Sequence, residues 1–363
     1  MSYLVLQSVS KSFGRNKVLD GLDLTVERGE TVVVFGPSGG GKTVLLRLIA
    51  GIEQPDQGDV RIEGVSLVGL GPEQRDVGMA FQNFALYPHL TAFENIASPL
   101  RAHGAEGADQ KVREIARLLR IDHVLEHAPR ALSNGQKQRT ALARALVRGP
   151  KLLLLDDPLR NVDAKLRYEM RLELPRVLRA VHSTALYVTQ DYREAMALGD
   201  RVGVLIDGKF RQIGSPRAIY SDPDDVRIAS LFGDPTINLY PVTPKAGANG
   251  PEVDLFGGSV TLPPGYAGLA GRSCLLGLRP EHIEVRNEAA EDALPLELDA
   301  VTPLNVRTVL FLRAKDRSEL LASAGEAAAV AFGRGHRAVW ARIDYEKAML
   351  FDAESGTRLR AAA

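Results

Sequence analysis

Short apolar runs separated by turn residues open the chain. Tyr3–Val9, Leu22–Val26 and Thr31–Phe35 are runs of this kind, and glycines stand between them. Apolar runs of about four to eight residues bounded by glycine are typical of β-strands. A glycine-rich stretch follows the third run, and Thr43–Ala50 comes directly after it. We predict a helix for that segment.

Strand-like and helical segments alternate farther along the chain. Two helices are predicted first, at Gln110–Leu119 and Gln136–Leu146. The segments that then alternate are Lys151–Leu155, Lys165–Ala180, Ala185–Thr189, Arg193–Leu198 and Val202–Ile206. Such alternation predicts a mainly parallel sheet with helices on its faces.

The pattern changes after about residue 235, where proline and glycine interrupt short apolar runs. The strands predicted there are Val253–Leu255, Cys274–Leu278, Leu294–Leu298, Val309–Leu312 and Ala338–Ile343. Short strands with such turns are typical of a small β-barrel or sandwich. Because 363 residues are too many for one ordinary core, we expect two domains, residues 1–235 with a helical part at about 84–150, and residues 236–363.

Composition narrows the class of protein. The 45 basic and 45 acidic side chains cancel, so nothing favours nucleic acid or an anionic membrane surface. Cys274 is the only cysteine, which excludes a disulfide within the chain and fits a reduced compartment and a buried thiol. The apolar runs are shorter than the roughly 20 residues of a membrane span, and no signal peptide is evident at the N-terminus. Work at a membrane would need docking on another protein.

A phosphate-binding loop stands between the third strand and the next helix. Residues 36–43 match the pattern G-x-x-x-x-G-K-[ST], in which glycines let backbone N–H groups point at phosphate oxygens. The lysine contacts the β- and γ-phosphates, and the hydroxyl can bind Mg²⁺. A plain glycine-rich turn is the alternative, and the flanking strand and helix disfavour it. The residues predicted to bind nucleotide here are Gly36, Ser38, Gly39, Gly40, Gly41, Lys42, Thr43 and Val44.

Four further segments of the sequence carry a resemblance to a known family. Leu132–Gln136 (Leu-Ser-Asn-Gly-Gln) lies between the phosphate loop and an acidic strand end, Leu152–Asp157. This order resembles the ATPase subunit of ATP-binding-cassette transporters. Leu276–His282 and Phe232–Asn238 resemble the accessory domain of maltose-type carbohydrate importer ATPases and its junction. The resemblance implies an α/β P-loop NTPase with a helical subdomain, followed by a β-rich, OB-like C-terminal domain.

The resemblance also implies roles at the chain's own nucleotide site. Asp156 would join Thr43 as a ligand of Mg²⁺. Gln82 would sense Mg²⁺ and the γ-phosphate, and thus take part in catalysis. Phe13 lies where an aromatic ring stacks on adenine in this family, although it could instead be plain core. The nucleotide is then ATP.

Other matching positions would face partner subunits. Asp163 belongs to the loop that crosses between two cassette subunits. Phe84, Leu86 and Tyr87 lie where the family holds the coupling helix of a membrane subunit, with ordinary apolar packing as the alternative. The signature motif, which closes over the ATP of the opposite subunit, is here Ser133, Asn134, Gly135 and Gln136. We expect its helix to start near Gln136, with Asn134 tolerating a left-handed backbone where the family has glycine.

Two departures from the family concern hydrolysis. Asp157 stands where hydrolytic members have a glutamate that polarises the attacking water, and its carboxylate is one methylene shorter. Gln190 replaces the histidine that contacts the γ-phosphate, and it can donate a hydrogen bond but cannot become charged. We expect binding to survive and hydrolysis to be impaired, with a tolerated aspartate base as the alternative. Arg160 and Val162 are further departures, in the loop that precedes Asp163.

The implied function is an ATPase subunit of a bacterial importer of a carbohydrate, polyol or similar small solute, at the cytoplasmic face of the inner membrane. The implied partners are two transmembrane permease subunits, indirectly an extracytoplasmic solute-binding protein, and a second cassette ATPase. The altered residues favour a non-identical second ATPase. The alternatives are a homodimer that hydrolyses ATP slowly and a non-transport ATP-binding regulator. A nucleic-acid-linked cassette is disfavoured by the neutral charge.

Overall fold

The computed structural model describes residues 2–102, 107–290, 292–304, 306–333 and 337–361. The chain divides into two compact units, Met1–Ile219 and Tyr220–Ala363. The elements of the first unit are β1 (Ser2–Phe13), β2 (Asn16–Glu27), β3 (Thr31–Phe35), α1 (Lys42–Ala50), β4 (Gln57–Ile62), β5 (Val65–Ser66), β6 (Val77–Ala80), α2 (Ala92–Arg101), α3 (Ala108–Leu118), α4 (Asn134–Leu146), β7 (Leu152–Asp156), α5 (Ala164–Ala180), β8 (Thr184–Thr189), α6 (Tyr192–Leu198), β9 (Arg201–Ile206) and β10 (Lys209–Gly214).

A six-stranded sheet with the order β10-β9-β3-β8-β7-β6 forms the centre of this unit. β3 is parallel to β8 and β9, β7 is parallel to β6 and β8, and only the edge strand β10 pairs antiparallel. Every residue of β3, β7 and β8 is buried, as expected for strands covered on both faces. The mainly parallel sheet is confirmed.

Strand register brings three chain segments together at one edge of this sheet. Phe35 at the end of β3 is paired with Thr189 at the end of β8. Asp156 at the end of β7 is paired with Val188. The residues that follow each strand therefore meet at the carboxyl edge, the usual ligand-binding edge of an open parallel sheet.

The remainder of the first unit is a second sheet and a group of helices. The antiparallel sheet has the order β2-β1-β4-β5. The helices α2, α3 and α4 lie within residues 84–150, the range predicted for the helical part, and residues 103–106 of that range lie outside the described residues. The apolar pattern of the sequence indicated no bounds for α2 and did not predict β4, β5 and β6.

The second unit is rich in β-structure. After α7 (Pro216–Ser221), where the chain passes from one unit to the other, it contains α8 (Val226–Leu231), β11 (Asn238–Val242), β12 (Glu252–Leu255), β13 (Gly258–Thr261), β14 (Cys274–Leu278), β15 (Ile283–Arg286), β16 (Leu294–Leu304), β17 (Arg307–Arg313), β18 (Glu319–Gly325), α9 (Ala327–Phe332), β19 (Arg337–Ile343), β20 (Met349–Asp352) and β21 (Arg358–Leu359). Its sheets have the orders β15-β19-β16-β17-β18, β11-β14-β20-β21 and β12-β13. All five strands predicted in this region are present, and the OB-like topology stays a prediction.

The unit boundary differs from the predicted boundary at residue 235. Arg279 explains the difference, because this side chain is only 1% exposed and reaches back to the preceding segment. Its guanidinium donates to the carbonyl oxygens of Tyr220, Ala229 and Phe232, and it lies over the Tyr220 ring at 3.9 Å. Residues 220–235 therefore belong with the β-rich unit.

Two further expectations from composition can be compared with the structure. Cys274 is fully buried, as expected, and burial raises the pKa of its thiol. No helix in the described part of the chain is both long and apolar enough to cross a membrane.

Candidate nucleotide site

The phosphate loop (residues 36–43) runs from the end of β3 into α1, and glycine is required at two of its positions. A Cβ on Gly36 would lie 2.1 Å from the carbonyl oxygen of Leu205. Gly41 caps α1 with φ +90°, and a Cβ there would lie 2.6 Å from a methyl carbon of Leu19. These constraints fix the backbone so that the N-terminus of α1 faces the space beside the loop, which suits an anion.

Lys42 is held at the mouth of this loop. Its Nζ donates to the carbonyl oxygens of Gly36 at 2.8 Å and Pro37 at 2.7 Å, and the residue is only 7% exposed. Burial lowers the pKa of Lys42, while the carboxylates of Asp157 and Asp156 act in the opposite direction. A cation is thus placed beside a cavity of about 190 Å³.

Thr43 and Asp156 meet on the other side of the cavity. The Thr43 hydroxyl donates to Oδ1 of Asp156 at 3.0 Å, and burial raises the pKa of Asp156. A hydroxyl and a carboxylate suit Mg²⁺, which keeps waters and takes few protein ligands beside phosphate oxygens. Over the described residues no group of three or more His, Cys, Asp or Glu could hold a metal by itself. The donor set therefore fits a nucleotide-linked Mg²⁺, which Thr43 and Asp156 would hold, and Gln82 lines the same cavity.

Asp157 follows the strand end in an unusual backbone conformation. Its φ is +44°, a region that non-glycine residues rarely adopt. Its N–H donates to the carbonyl oxygen of Val188 at 2.8 Å, which ties the residue to β8. Burial raises the pKa of Asp157. The carboxylate is thereby fixed at the carboxyl edge of the sheet, where it lines the same cavity as Lys42.

Two side chains contact Oδ2 of the Asp157 carboxylate. Gln190 Nε2 donates to Oδ2 at 3.2 Å. Arg160 places a guanidinium nitrogen 3.7 Å from the same oxygen. Both contacts oppose the effect of burial on the pKa of Asp157. The contact with Arg160 was missed by the sequence analysis, which noted Arg160 only as a departure from the family.

The cavity collects most of the predicted nucleotide residues. Val18, Arg160 and Val188 also line it, and none of the three was predicted to do so. Predicted residues that line it are Ser38, Gly39, Gly40, Gly41, Lys42, Thr43, Val44, Gln82, Asp156, Asp157 and Gln190.

Of the predicted nucleotide residues, Gly36 belongs to the loop but does not line the cavity, and Phe13 lies outside both the loop and the cavity. Phe13 is 46% exposed at the end of β1, and Lys11 Nζ lies 5.3 Å from the centre of its ring. The alternative that Phe13 is plain core is therefore wrong. A role in stacking on adenine stays a prediction.

Comparison with known proteins identifies the family. The family described as ABC transporter matches residues 19–160. The sn-glycerol-3-phosphate import ATP-binding protein UgpC of Salmonella typhi is 40% identical over 363 residues, which covers 99% of this chain and 100% of the relative. UgpC of Escherichia coli strain K12 is 39% identical over the same share of both chains. This chain belongs to the ABC transporter family.

A solved structure supports the assignment over part of the chain. A dimeric ATP-binding cassette in a post-hydrolysis state, bound to ADP and Pi, matches with a TM-score of 0.54 and 29% identity. The match covers 59% of this chain and 99% of that one. The chain is thus an ABC ATPase, an enzyme that uses ATP with Mg²⁺, and it carries a β-rich C-terminal region in addition.

The ABC signature motif lies apart from this chain's own phosphate loop. Ser133 caps α4, where its Oγ accepts from the N–H of Gln136 at 3.2 Å and Gln136 Oε1 accepts from the N–H of Ser133 at 2.9 Å. Gly135 is tightly packed, because a Cβ there would lie 2.1 Å from a methyl carbon of Leu166. None of the four signature residues lines the nucleotide cavity. Action on the ATP of an opposite subunit remains a prediction.

The helix of this motif begins slightly earlier than expected. The helix starts at Asn134 rather than near Gln136, and Asn134 does not have positive φ. The capping box of Ser133 and Gln136 explains the earlier start, because each side chain satisfies the other's free backbone N–H. Asn134 therefore needs no left-handed conformation.

Hydrogen bonds from Arg167 of α5 stabilise the loop between β7 and α5. Asp163 caps α5 by accepting from the N–H of Leu166 at 3.0 Å, and it is exposed. Arg167 donates back to the carbonyl oxygens of Leu159, Arg160 and Val162. A contact of Asp163 with a second subunit stays a prediction.

Of the three residues predicted to contact a membrane subunit, only Tyr87 lines the neighbouring cavity. Tyr87 lines a cavity of about 540 Å³, whereas Phe84 and Leu86 do not line it and are half-buried. Arg144 lies under the Tyr87 ring at 5.6 Å and donates to the carbonyl oxygens of Phe84 and Ala85. Asn95 accepts from the N–H of Tyr87. Tyr87 is therefore the best-placed of the three residues for contact with a partner.

Proposed function

We propose that this chain is the ATPase subunit of a bacterial importer for a carbohydrate, polyol or similar small solute. The observation that carries the proposal is the 40% identity to sn-glycerol-3-phosphate import ATP-binding proteins over 99% of the chain. The phosphate loop, with Lys42 buried at its mouth and Thr43 bonded to Asp156, adds support. These residues bind ATP and Mg²⁺, and hydrolysis drives the transport cycle.

The proposed partners follow from this role. Two transmembrane permease subunits hold the chain at the cytoplasmic face of the bacterial inner membrane, and an extracytoplasmic solute-binding protein acts indirectly. Tyr87 and the cavity beside it form the proposed contact with a permease subunit. A second cassette ATPase completes the pair, with Ser133–Gln136 and Asp163 facing it. No nucleic acid is proposed as a partner, because the chain has no excess positive charge.

The experiment for this function is purification of the tagged full chain from its native membranes, followed by mass spectrometry. We expect two permease subunits to come with the wild-type chain. Tyr87→Ala should lower their yield, since Tyr87 is 47% exposed and lines the cavity. Tyr168→Ala is the control, because Tyr168 is also an exposed tyrosine, at 59%, but lies on α5 outside that cavity. Recovery without any permease subunit would favour the non-transport regulator.

A finer proposal concerns this chain's own rate of hydrolysis. Asp157 is contacted by Gln190 and Arg160, and its shorter side chain sets the carboxylate back from where a glutamate would reach. A displacement of about 1 Å can lower a rate roughly a hundredfold. ATP is therefore bound well and hydrolysed slowly at this loop.

An asymmetric pair would make use of such a site. In this arrangement a non-identical second ATPase, with glutamate and histidine in the two altered positions, hydrolyses its ATP against Ser133–Gln136 of this chain. The same mass spectrometry distinguishes the arrangements, since a second cassette chain would accompany the permease subunits. Permease subunits accompanied by this chain alone would indicate the homodimer, with Asp157 as the working base.

The rate proposal has its own test. Asp157→Glu combined with Gln190→His should raise phosphate release from the full chain by about 10- to 100-fold, the effect of restoring about 1 Å of reach. Each single substitution is the matched control, and each should give less than the pair. An unchanged rate in the double variant, with ATP binding intact, would mean that Asp157 already serves as an adequate base.

A further inference from the structure

A buried carboxyl lies close to Asp157 and has no role in the function proposed above. Glu194 belongs to the first turn of α6 and is 1% exposed. Its Oε2 accepts from the Tyr187 hydroxyl at 2.7 Å and from the Thr189 hydroxyl at 2.8 Å. Both donors lie on β8 and are fully buried. Burial away from water makes this carboxyl costly to ionise, and the two hydroxyl donors offset part of that cost by stabilising the carboxylate.

The Thr189 hydroxyl connects Glu194 with Asp157. Its oxygen lies 3.5 Å from Oδ1 of Asp157 and also accepts from the N–H of Asp191 at 3.0 Å. A hydroxyl has one proton to donate and two lone pairs that accept. Thr189 can therefore donate to only one of the two carboxyl groups at a time.

Glu194 and Asp157 also face a common space. A cavity of about 260 Å³ is lined by Asp157, Arg160, Arg167, Gln190, Asp191 and Glu194. The charged and titratable groups around Glu194 come from α5, α6, β8 and the loop after β7. Arg167 comes from α5 and lies 3.9 Å from Asp191 at the start of α6, Tyr187 comes from β8, and Asp157 and Arg160 follow β7.

We propose that Glu194 is a positioning residue for Asp157, acting through the direction in which the Thr189 hydroxyl donates. When Glu194 is ionised, Thr189 donates to it, and Oδ1 of Asp157 is left free to accept from the attacking water. When Glu194 is protonated, its own proton is donated to Thr189, and the Thr189 proton turns to Asp157. Glu194 takes up this one proton from solvent and returns it there, and the Thr189 proton only changes its acceptor. The inference rests on the ATP hydrolysis proposed above.

Electrostatics place this switch near neutral pH. Burial raises the pKa of Glu194 to about 7, against the hydrogen bonds from Tyr187 and Thr189. Burial also raises the pKa of Tyr187 well above its usual range, so Tyr187 stays neutral and keeps donating. Glu194 is protonated below pH 7 and ionised above it, so hydrolysis should rise with pH through this range.

The test is single-turnover phosphate release by the full chain with Mg²⁺ and ATP, measured across about two pH units around the pKa of Glu194. We expect the wild-type rate to rise as pH increases through about 7. Glu194→Gln should abolish this rise and hold the rate near the low-pH value, because glutamine cannot ionise. Tyr187→Phe should move the rise to higher pH, because ionised Glu194 then loses one donor. Glu169→Gln, exposed on α5, is the control and should follow the wild type.

The other outcomes would overturn the inference. They are a wild-type profile without the rise, a rise that persists in Glu194→Gln, and a loss in that variant that is equal at every pH, as a purely structural role would give. ATP binding by the same chains, measured by calorimetry, separates the two levels of proposal. Normal binding with an unaltered profile rejects only the role of Glu194, whereas no ATP binding by the wild type would reject the proposed function as well.

Discussion

The phosphate loop and the residues that face it across the cavity are built in different ways. In the loop, Gly36 and Gly41 are required by close backbone and side-chain contacts, and Lys42 is held by two carbonyl oxygens. The opposite side consists of Asp157, Arg160 and Gln190, and we call it the turnover edge. There Asp157 has positive φ, and its carboxylate is contacted by the amide of Gln190 and the guanidinium of Arg160. One region is sterically fixed, and the other is held by polar contacts that can be exchanged.

This difference indicates that the binding of ATP and its hydrolysis are separable in this unit. Binding uses backbone N–H groups, a helix N-terminus and one buried cation, all of which are present. Hydrolysis needs one carboxylate within about 1 Å of its working position. Substitutions at the turnover edge should therefore alter the rate of hydrolysis while leaving the affinity for ATP nearly unchanged. Substitutions in the phosphate loop should alter the affinity for ATP while leaving the rate of hydrolysis nearly unchanged.

The largest expected effect is a loss of stability caused by a substitution in the phosphate loop. Gly41→Ala combines φ +90° with a contact at 2.6 Å to Leu19, so it should lower the free energy of unfolding by roughly 2 to 5 kcal/mol. Gly39→Ala is the matched control, because φ is +79° but nothing lies within 4 Å of its Cβ. It should cost roughly 1 to 2 kcal/mol. Urea denaturation measures both, and equal costs would contradict the steric account of Gly41.

The next effect concerns affinity. Lys42→Ala should weaken ATP binding by about 10- to 100-fold, the equivalent of roughly 1.5 to 3 kcal/mol for hydrogen bonds to a charged group. Lys209→Ala, an exposed lysine on β10, should bind as the wild type does. Asp157→Ala should also retain most of its affinity. Calorimetry decides the matter, and a loss in Asp157→Ala as large as that in Lys42→Ala would mean that binding and hydrolysis are not separable.

The sequence predicted the phosphate-loop side of this comparison well. Thr31–Phe35 was predicted with its observed bounds, and Lys42 and Thr43 lie where the loop pattern placed them. Cys274–Leu278, in the other unit, was also predicted exactly as observed in extent. These features depend on local spacing and on apolar runs, which are visible in one short stretch of chain.

The turnover edge could be predicted only as a list of residues. The contact of Arg160 with Asp157 depends on how the loop after β7 turns, which Arg167 of the next helix fixes. The link from Glu194 to Asp157 depends on the pairing of β7 with β8, which no local pattern reveals. The division at Tyr220 likewise rests on Arg279, far along the chain. The last two features join residues distant in sequence, whereas Arg160 and Asp157 are three residues apart and meet only because of the backbone conformation of their loop.

Stability at different pH values separates the two regions further. The pKa of Glu194 is raised from 4.5 to about 7 in the folded chain. Its stabilising contribution is therefore fully present below pH 4.5 and is lost as pH rises through 7. The wild type should lose about 3 kcal/mol relative to Glu194→Gln over this window. Urea denaturation at pH values below and above the window measures the difference, with Glu169→Gln as the control. Parallel curves for wild type and Glu194→Gln would show that Glu194 does not titrate there.

The smallest expected effect tests the turnover edge alone. Arg160 lies 3.7 Å from Asp157, and its side chain is 47% exposed, so the attraction is weakened by solvent and by salt. Arg160→Ser should raise phosphate release by a few fold at low salt, because Asp157 loses a competing partner, and the gain should shrink as salt is added. Arg286→Ser, which removes an exposed arginine from the other unit, is the control. A fall in the rate of Arg160→Ser would instead mean that Arg160 assists hydrolysis. A difference in ATP affinity between Arg160→Ser and the wild type would show that this arginine belongs with the phosphate loop rather than with the turnover edge.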